Sequence, residues 1–409
     1  MTSGSVLQVD GYRRLFFSAA LVIFGVMGQA VARGWLAREL TGTNAGLGGV
    51  MLVFGVAMLI ATPWGGVAAD RFSKRIMLLG AVGALTLSSL LLGVAVVTDV
   101  VQYWMLLVAG AVQATSFAFY LPARIAFITE LVEADQIAEA VTLSQTAQEG
   151  MRVIGPALAG VLIGVSWFDT GGVFLLSAVT SSLAGVVLFG LPPGSPRHRS
   201  ERSPLAEMAD AVAYVRRTPG LALIAVTTIL VVIATFPYLT FLPTLADDVF
   251  GVGAGGYGVM SGVAGLGAVA AGLLAPRWRA MGQRPWVAVA GSAAVLGLGV
   301  IALGRVTAYP LALAVLFVIG AAGLVFQTTT LSLMLSLADI EYHGRLQSMV
   351  VLGFSGFGLA ALPLGALADA WGLDTVLGLT GAVAIVISAV FAWRRWLVRR
   401  GRLRLVELA

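Results

Sequence analysis

The sequence predicts an all-α membrane protein with twelve transmembrane helices in two pseudo-symmetric six-helix bundles and both termini in the cytoplasm. Three observations carry that prediction. Of 409 residues, 59% are apolar and only 11% are Asp, Glu, Lys or Arg, whereas a soluble chain carries about a quarter charged residues. The apolar residues gather in about a dozen unbroken stretches, each near the roughly 20 residues that a helix needs to cross a bilayer. Landmarks in the two halves then repeat at a nearly constant offset. A mean hydropathy of +0.95 agrees. An outer-membrane barrel is excluded, because its strands would alternate apolar and polar residues.

The stretches are read in order as follows. The first, 15–37, follows Arg13 and Arg14 and shows no cleavage site before the second, so it reads as a retained helix and not a signal peptide. The next five are 46–69, 76–98, 102–128, 138–164 and 172–191. The longest polar stretch, 192–218, opens with Pro192-Pro193-Gly194-Ser195-Pro196 and divides the chain near its middle. In its second part Ser203 can cap and Pro204 suits a first helical position. Leu205, Met208, Val212 and Val215 share one face. A short helix along the cytoplasmic membrane surface is therefore expected. The remaining six spans are 219–242, 254–275, 286–304, 308–337, 345–369 and 374–393. The domains are thus 1–191, the linker 192–218, and 219–409.

Charge placement sets the topology. Twenty of the 25 Lys and Arg residues fall on one side, from Arg13 and Arg14 through Arg71, Lys74 and Arg75 to the cluster Arg394–Arg404. The other side has Arg38 and Arg305. The positive-inside rule places both termini in the cytoplasm, and the net charge of +5 is a topology signal and not a nucleic-acid footprint. With no cysteine there is no disulfide framework and no thiolate metal site. The two histidines, His198 and His343, both lie in polar loops, which argues against zinc. No G-x-x-x-x-G-K-[ST] loop is present, so direct ATP drive is excluded. No triad, metal cluster or paired carboxylates appear in the spans. No cofactor and no enzymatic activity are expected.

The halves echo each other. Asp70-Arg71 after the second span corresponds to Pro276-Arg277 after the eighth, an offset of 206, and Pro156 corresponds to Pro363, an offset of 207. Two six-helix units in parallel register are the build of many secondary transporters, whose site lies between the halves near the bilayer midplane.

Several motifs resemble a known family. Gly66-Val-Ala-Ala-Asp70-Arg71-Phe-Ser73-Lys74-Arg75 resembles the G-x-x-x-D-R-x-G-R-K signature of the major facilitator superfamily, with Ser73 at the usual glycine. The glycine permits close helix approach, Asp70 can meet a helix N-terminus or a cation, and the basic run can face anionic lipid. Gly66, Asp70, Arg71, Lys74 and Arg75 are accordingly expected to gate conformation, the alternative being a pure topology determinant. In the fifth span, Gly150-Met-Arg152-Val-Ile-Gly155-Pro156-Ala-Leu-Ala-Gly160 resembles the antiporter motif of that superfamily's drug exporters. There Pro156 kinks the helix, while Gly155 and its neighbours allow close packing. A packing kink with no bearing on direction is the plain alternative.

Further segments are similar to the subgroup holding the enterobactin exporter and macrolide-efflux proteins. They run from Gln29 to Thr43, from Leu239 to Asp247, over Gly255-Gly-Tyr257-Gly258, and at Phe326-Gln327 and His343-Gly344-Arg345. That resemblance implies a twelve-helix, proton-coupled exporter of a small molecule. One position departs: where many drug:proton antiporters carry an arginine in the fourth span, this chain has Gly110, before Gln113-Ala114.

Ionisable groups inside spans are costly and read as functional. Glu149 and Arg152 sit at i and i+3 of the fifth span and share a face. Arg124 lies toward one end of the fourth span and Arg33 toward one end of the first. Gln113, Phe117, Tyr120 and Arg124 fall at i, i+4, i+7 and i+11, a semi-polar face expected to line a cavity with Phe236 and Tyr238 of the seventh span and Gln327 of the tenth. The half-chain offset carries Glu149, Arg152 and Arg124 onto Gly356, Leu359 and Thr330, so the ionisable chemistry is confined to the first half. Glu149 is the expected proton carrier, Arg152 its switchable counter-ion, and Arg124 an anchor for an anionic substrate group or for Glu130. A permanent Glu149–Arg152 or Glu149–Arg124 bridge that only braces the packing is the alternative.

The expected function is proton-driven export of an amphipathic small molecule, such as a drug or siderophore, by alternating access in a bacterial cytoplasmic membrane. The partners are that substrate, protons and membrane lipids, without nucleic acid, and the chain is expected to act as a monomer. An uncoupled lipid or lysolipid transporter and a non-transporting sensor or scaffold are the rival readings.

Overall fold

The computed structural model describes residues 6–165, 167–194, 204–280, 284–339 and 342–399. Helices dominate, and no strand occurs among the described residues. The first six are α1 (Asp10–Thr41), α2 (Asn44–Arg71), α3 (Lys74–Val97), α4 (Tyr103–Leu131), α5 (Ile137–Ile163) and α6 (Asp169–Phe189). A linker helix, α7 (Pro204–Arg217), precedes α8 (Pro219–Thr235), α9 (Tyr238–Thr244), α10 (Gly253–Ala280), α11 (Pro285–Leu303), α12 (Tyr309–Ser336), α13 (His343–Trp371) and α14 (Leu373–Arg399). Ten described helical stretches are long and apolar enough to cross a membrane. Shorter apolar stretches, Ile154–Ile163 and Gly356–Trp371, lie within α5 and α13. Those two helices are the sequence's fifth and eleventh spans, whose first turns carry polar and charged residues.

Local signals explain the ends. Prolines open α8, α11 and α12 in the first turn, where a missing N–H costs nothing. Gly42 ends α1 with φ of +64°, its amide bonding the Arg38 carbonyl, a left-handed cap that suits a residue without Cβ. The seventh span departs from the unbroken helix expected over 219–242. Its helix stops at Thr235, resumes as α9 at Tyr238 and closes in a wider π-turn over Leu245–Val249. Pro237 is the physical reason, since it can neither donate the ladder hydrogen bond nor fit its ring against the preceding turn.

The helices form two compact units. The first contains Met1–Gly42, Val56–Pro204 and Val252–Gly262; the second contains Thr43–Gly55, Leu205–Gly251 and Val263–Ala409. In the first, α1 packs on α5 and α6, and α3 on α4 and α6. In the second, α8 packs on α13 and α14, and α11 on α12 and α14. These are the same pairings shifted by half the chain, the spatial counterpart of the sequence repeat. The partition is not a cut through the linker, however. The start of α2 belongs to the second unit and the start of α10 to the first.

Backbone-close seats explain that exchange. A Cβ on Gly48 would lie 2.6 Å from the Leu362 Cα of α13, and one on Gly365 would lie 2.7 Å from the Asn44 carbonyl carbon. The seat is locked by Asp369, whose carboxylate accepts the Asn44 amide (2.8 Å), the Asn44 Nδ2 (2.9 Å) and the Ala45 amide (2.8 Å). Thr244 of α9 in turn donates to Asn44 Oδ1 at 2.8 Å. Asp369 therefore serves as a remote N-cap for α2, favoured by the positive end of the helix dipole. Asp369→Asn is expected to loosen this seat by about 1–2 kcal/mol, roughly the worth of one hydrogen bond to a charged group at a partly wet site. With no native cysteine, a single Leu47→Cys, buried at 2% exposure, would report it. Maleimide labelling should accelerate on the order of tenfold, and unchanged labelling would show that the cap does not hold the seat.

The linker helix, expected along the membrane surface, packs within the second unit. Ala211 and Val215 are buried in the second unit, Tyr214 stacks on Tyr342 at 3.8 Å, and its hydroxyl donates to Asp339 Oδ2 (3.1 Å) while accepting the Asp339 amide (3.0 Å). Burial, with the Asp339 side chain beside it, pushes the Tyr214 phenol above the ordinary tyrosine value. Tyr214→Phe keeps the stack and removes both bonds. Amide exchange in α7 should speed up by about fivefold, equivalent to about 1 kcal/mol; unchanged protection would leave the stack as the whole clamp.

Candidate functional site

The semi-polar face expected on α4 exists, and it points into the protein. Gln113, Phe117, Tyr120 and Arg124 are 3%, 9%, 0% and 2% exposed. Phe117 and Tyr120 meet edge to face with ring centroids 6.4 Å apart. Arg124 lies within electrostatic reach of Tyr120 and of Tyr12 on α1. Tyr12 itself ties α1 to α5 through the Ala140 carbonyl (2.7 Å) and Ser144 Oγ (3.0 Å).

Arg33 is the centre of a second cluster. It is 3% exposed, and its Nη2 donates to Gln113 Oε1 across from α1 to α4. Tyr257, on the first turns of α10, lies within electrostatic reach of the guanidinium and hydrogen-bonds Ser261 one turn on. All four residues belong to the first unit. Tyr257 and Ser261 were not among the site residues singled out from sequence. Tyr257 enters the sequence reading only within Gly255-Gly-Tyr257-Gly258, one of the segments that carry the resemblance, and it is the seat of α10 on α5 that brings it to Arg33.

The other expected site residues divide by unit. Phe236, at the break in the seventh span, and Gln327 on α12 are half-buried, and Tyr238 is buried, all in the second unit. Glu149 and Arg152 occupy α5 at the expected one-turn spacing, but their side chains lie outside the described residues, as does that of Asp70. Gly155 fits against α1, where an added Cβ would meet Met27 Cβ at 2.8 Å, and Pro156 sits inside α5.

The basic motif after α2 is built differently from a run of cations facing lipid. Gly66 and Arg71 are exposed, but the Lys74 side chain is 0% exposed, its Nζ 3.0 Å from Glu130 Oε1 at the end of α4. Arg75 Nη1 donates to the Leu191 carbonyl (2.7 Å) and Arg14 Nη1 to that of Gly190 (2.6 Å), so two guanidinium groups cover the carbonyl end of α6. Ser73 has φ of −57°, a conformation open to any residue, and its hydroxyl bonds the Pro193 carbonyl. Serine in place of the family's glycine is thus used and not merely tolerated. Among the described residues no group of three His, Cys, Asp or Glu is placed to hold a metal.

Comparison with known proteins agrees with this architecture. Residues 15–363 match the Major Facilitator Superfamily. An uncharacterised MFS-type transporter of Bacillus subtilis, YfiS, is 29% identical over 179 residues, 42% of this chain and 40% of that protein. The staphyloferrin A transporter of Staphylococcus aureus is 25% identical over 277 residues, 64% and 66% of the two chains. Macrolide efflux protein A of Enterococcus faecalis is 24% identical over 187 residues, 45% and 58%. The matches thus span between 40% and 66% of these relatives' own lengths. In fold, the crystal structure of a mutant of the nucleoside transporter NupG superposes with a TM-score of 0.76 over 95% of this chain and 99% of that one, at 13% identity. The chain is a multi-pass membrane protein and belongs to the major facilitator superfamily of transporters.

Proposed function

We propose that this transporter is a proton-coupled exporter of an amphipathic small molecule, working by alternating access as a monomer in a bacterial cytoplasmic membrane with both termini inside. The observation that carries the reading is the buried polar face of α4, joined to Arg33 of α1, inside a helical unit where every ionisable group is costly. Efflux and siderophore-transport relatives support the direction and the substrate class. In this reading Glu149 carries the proton and Arg152 is its counter-ion. They share one face of α5, the helix whose glycines seat it on α1 and α10. Arg33, Gln113, Phe117, Tyr120, Arg124, Phe236, Tyr238 and Gln327 are the substrate-contacting residues of this reading. The motif from Gly66 to Arg75, with Gly155 and Pro156 of α5, gates the conformational change in this reading.

The test is proton flux. Vesicles holding a pH-sensitive dye and the reconstituted protein are screened with drug-like and siderophore-like compounds, wild type against Glu149→Gln. Compound-driven flux that drops at least tenfold in the variant supports both the antiporter and Glu149 as carrier. Flux that survives keeps the antiporter and removes Glu149. Compounds that bind without moving protons would turn the reading to uncoupled lipid transport.

A further inference from the structure

We infer that the transported molecule carries an oxyanion group, and that Arg33, with Gln113 and Tyr257, receives it. The inference rests on the transporter reading above and names its substrate class. A guanidinium offers five N–H donors and no acceptor. In Arg33 one of them reaches Gln113 Oε1, while Nε is sealed from water without any acceptor. No Asp or Glu among the described residues lies within ion-pair distance of it. Glu149 is too far along the bundle to serve. Gly155 of α5 packs at the level of Phe24 to Gly28 of α1, and Arg33 and Glu149 lie on opposite sides of that level. At 1.5 Å per residue they are about 17 Å apart along the helix axes.

The groups around Arg33 complete a donor set. Gln113 has an amide that both donates and accepts, and Tyr257 and Ser261 bring hydroxyls from α10. The cluster has a formal charge of +1 with no acid within ion-pair distance among the described residues, in surroundings where a lone charge is poorly tolerated. A carboxylate or phosphate would fit it in two ways, by supplying the missing charge and by accepting the unused N–H groups in the fork geometry arginine favours. A cationic cargo would be repelled.

The test uses pairs of compounds that differ only in charge. The full chain in phosphatidylcholine nanodiscs is titrated with 1-pyrenebutyrate and its amide, and with 1-naphthaleneacetate and its amide, with binding followed by tryptophan fluorescence. The expected result is that the acid of at least one pair binds tenfold or more tighter than its amide. Arg33→Gln should abolish that preference and Arg33→Lys should keep part of it. If Arg33→Gln does not fold, Tyr257→Phe should reduce the acid's affinity about threefold and leave the amide unchanged. Equal binding of acid and amide in both pairs, no acid binding, or a preference that persists in Arg33→Gln overturns the inference. Repeating the titration in discs containing phosphatidylglycerol separates the sources. Competition assigns the oxyanion to a lipid headgroup, and indifference assigns it to a free anion. Proton flux driven by neutral or cationic compounds would leave the exporter standing even where the anion site fails.

Discussion

Lys74→Met is expected to destabilise the protein by about 3 kcal/mol, the lower end of the roughly 3–5 kcal/mol seen when one partner of a buried ion pair is removed. The lower end applies because the Glu130 side chain left behind is 19% exposed and keeps some water, whereas Lys74 itself has none. For a unit of this size the apparent melting temperature should fall by on the order of 6–12 °C. The double variant Lys74→Met/Glu130→Gln should recover part of the loss, because the carboxylate that Lys74 faced is no longer left charged. Arg71→Ala, three residues away and exposed, should change melting by less than about 0.5 kcal/mol. A Lys74 variant as stable as the wild type would mean that the motif's lysine is not held by its burial. The contrast between the two cations is the point: one motif contains a solvated charge and a structural one.

That contrast also shows where sequence reading stops. The spans were legible, because twenty-residue apolar runs have few other uses, and so was the inward face of α4, because 3.6-residue periodicity brings Gln113, Phe117, Tyr120 and Arg124 into line. The basic run was legible as a charge pattern only. Which of its members meets lipid depends on Glu130, some fifty residues further on, and on the carbonyl end of α6. The break at Pro237 was written in the sequence, but a proline within an apolar run is tolerated in many membrane helices, so hydropathy read through it. Asp369 closes the span read as 345–369. Its partners, Asn44 and Ala45, are more than 320 residues away, and no local pattern announces a cap supplied from another helix. The Arg33 cluster is the same case. Its arginine was visible as an intramembrane charge, but Tyr257 and Ser261 join it only through the crossing of α5 and α10.

Gly160→Ala should therefore reach the site without touching it. A Cβ on Gly160 would fall on the Gly258 backbone, 2.8 Å from its nitrogen and closer still to its Cα, and a Cβ on Gly258 meets Gly160 in return. No side chain can rotate away to relieve a clash between two backbones, so α10 must move off α5. The cost expected for such overpacking is about 1–3 kcal/mol, already incurred by alanine, with leucine adding less than the first methyl did. Gly83→Ala on α3 is the matched control. Nothing lies within 4 Å of the added Cβ, so that substitution should stabilise its helix by about 0.5–1 kcal/mol. Because Tyr257 precedes Gly258 directly, the displaced turn takes its hydroxyl away from Arg33. Gly160→Ala should thus weaken binding of the pyrenebutyrate probe severalfold while binding of the amide holds, and Gly83→Ala should change neither. Loss of both probes together would mean that the crossing supports the fold alone. Loss of the acid alone would tie the packing of α5 on α10 to the charge the carrier recognises.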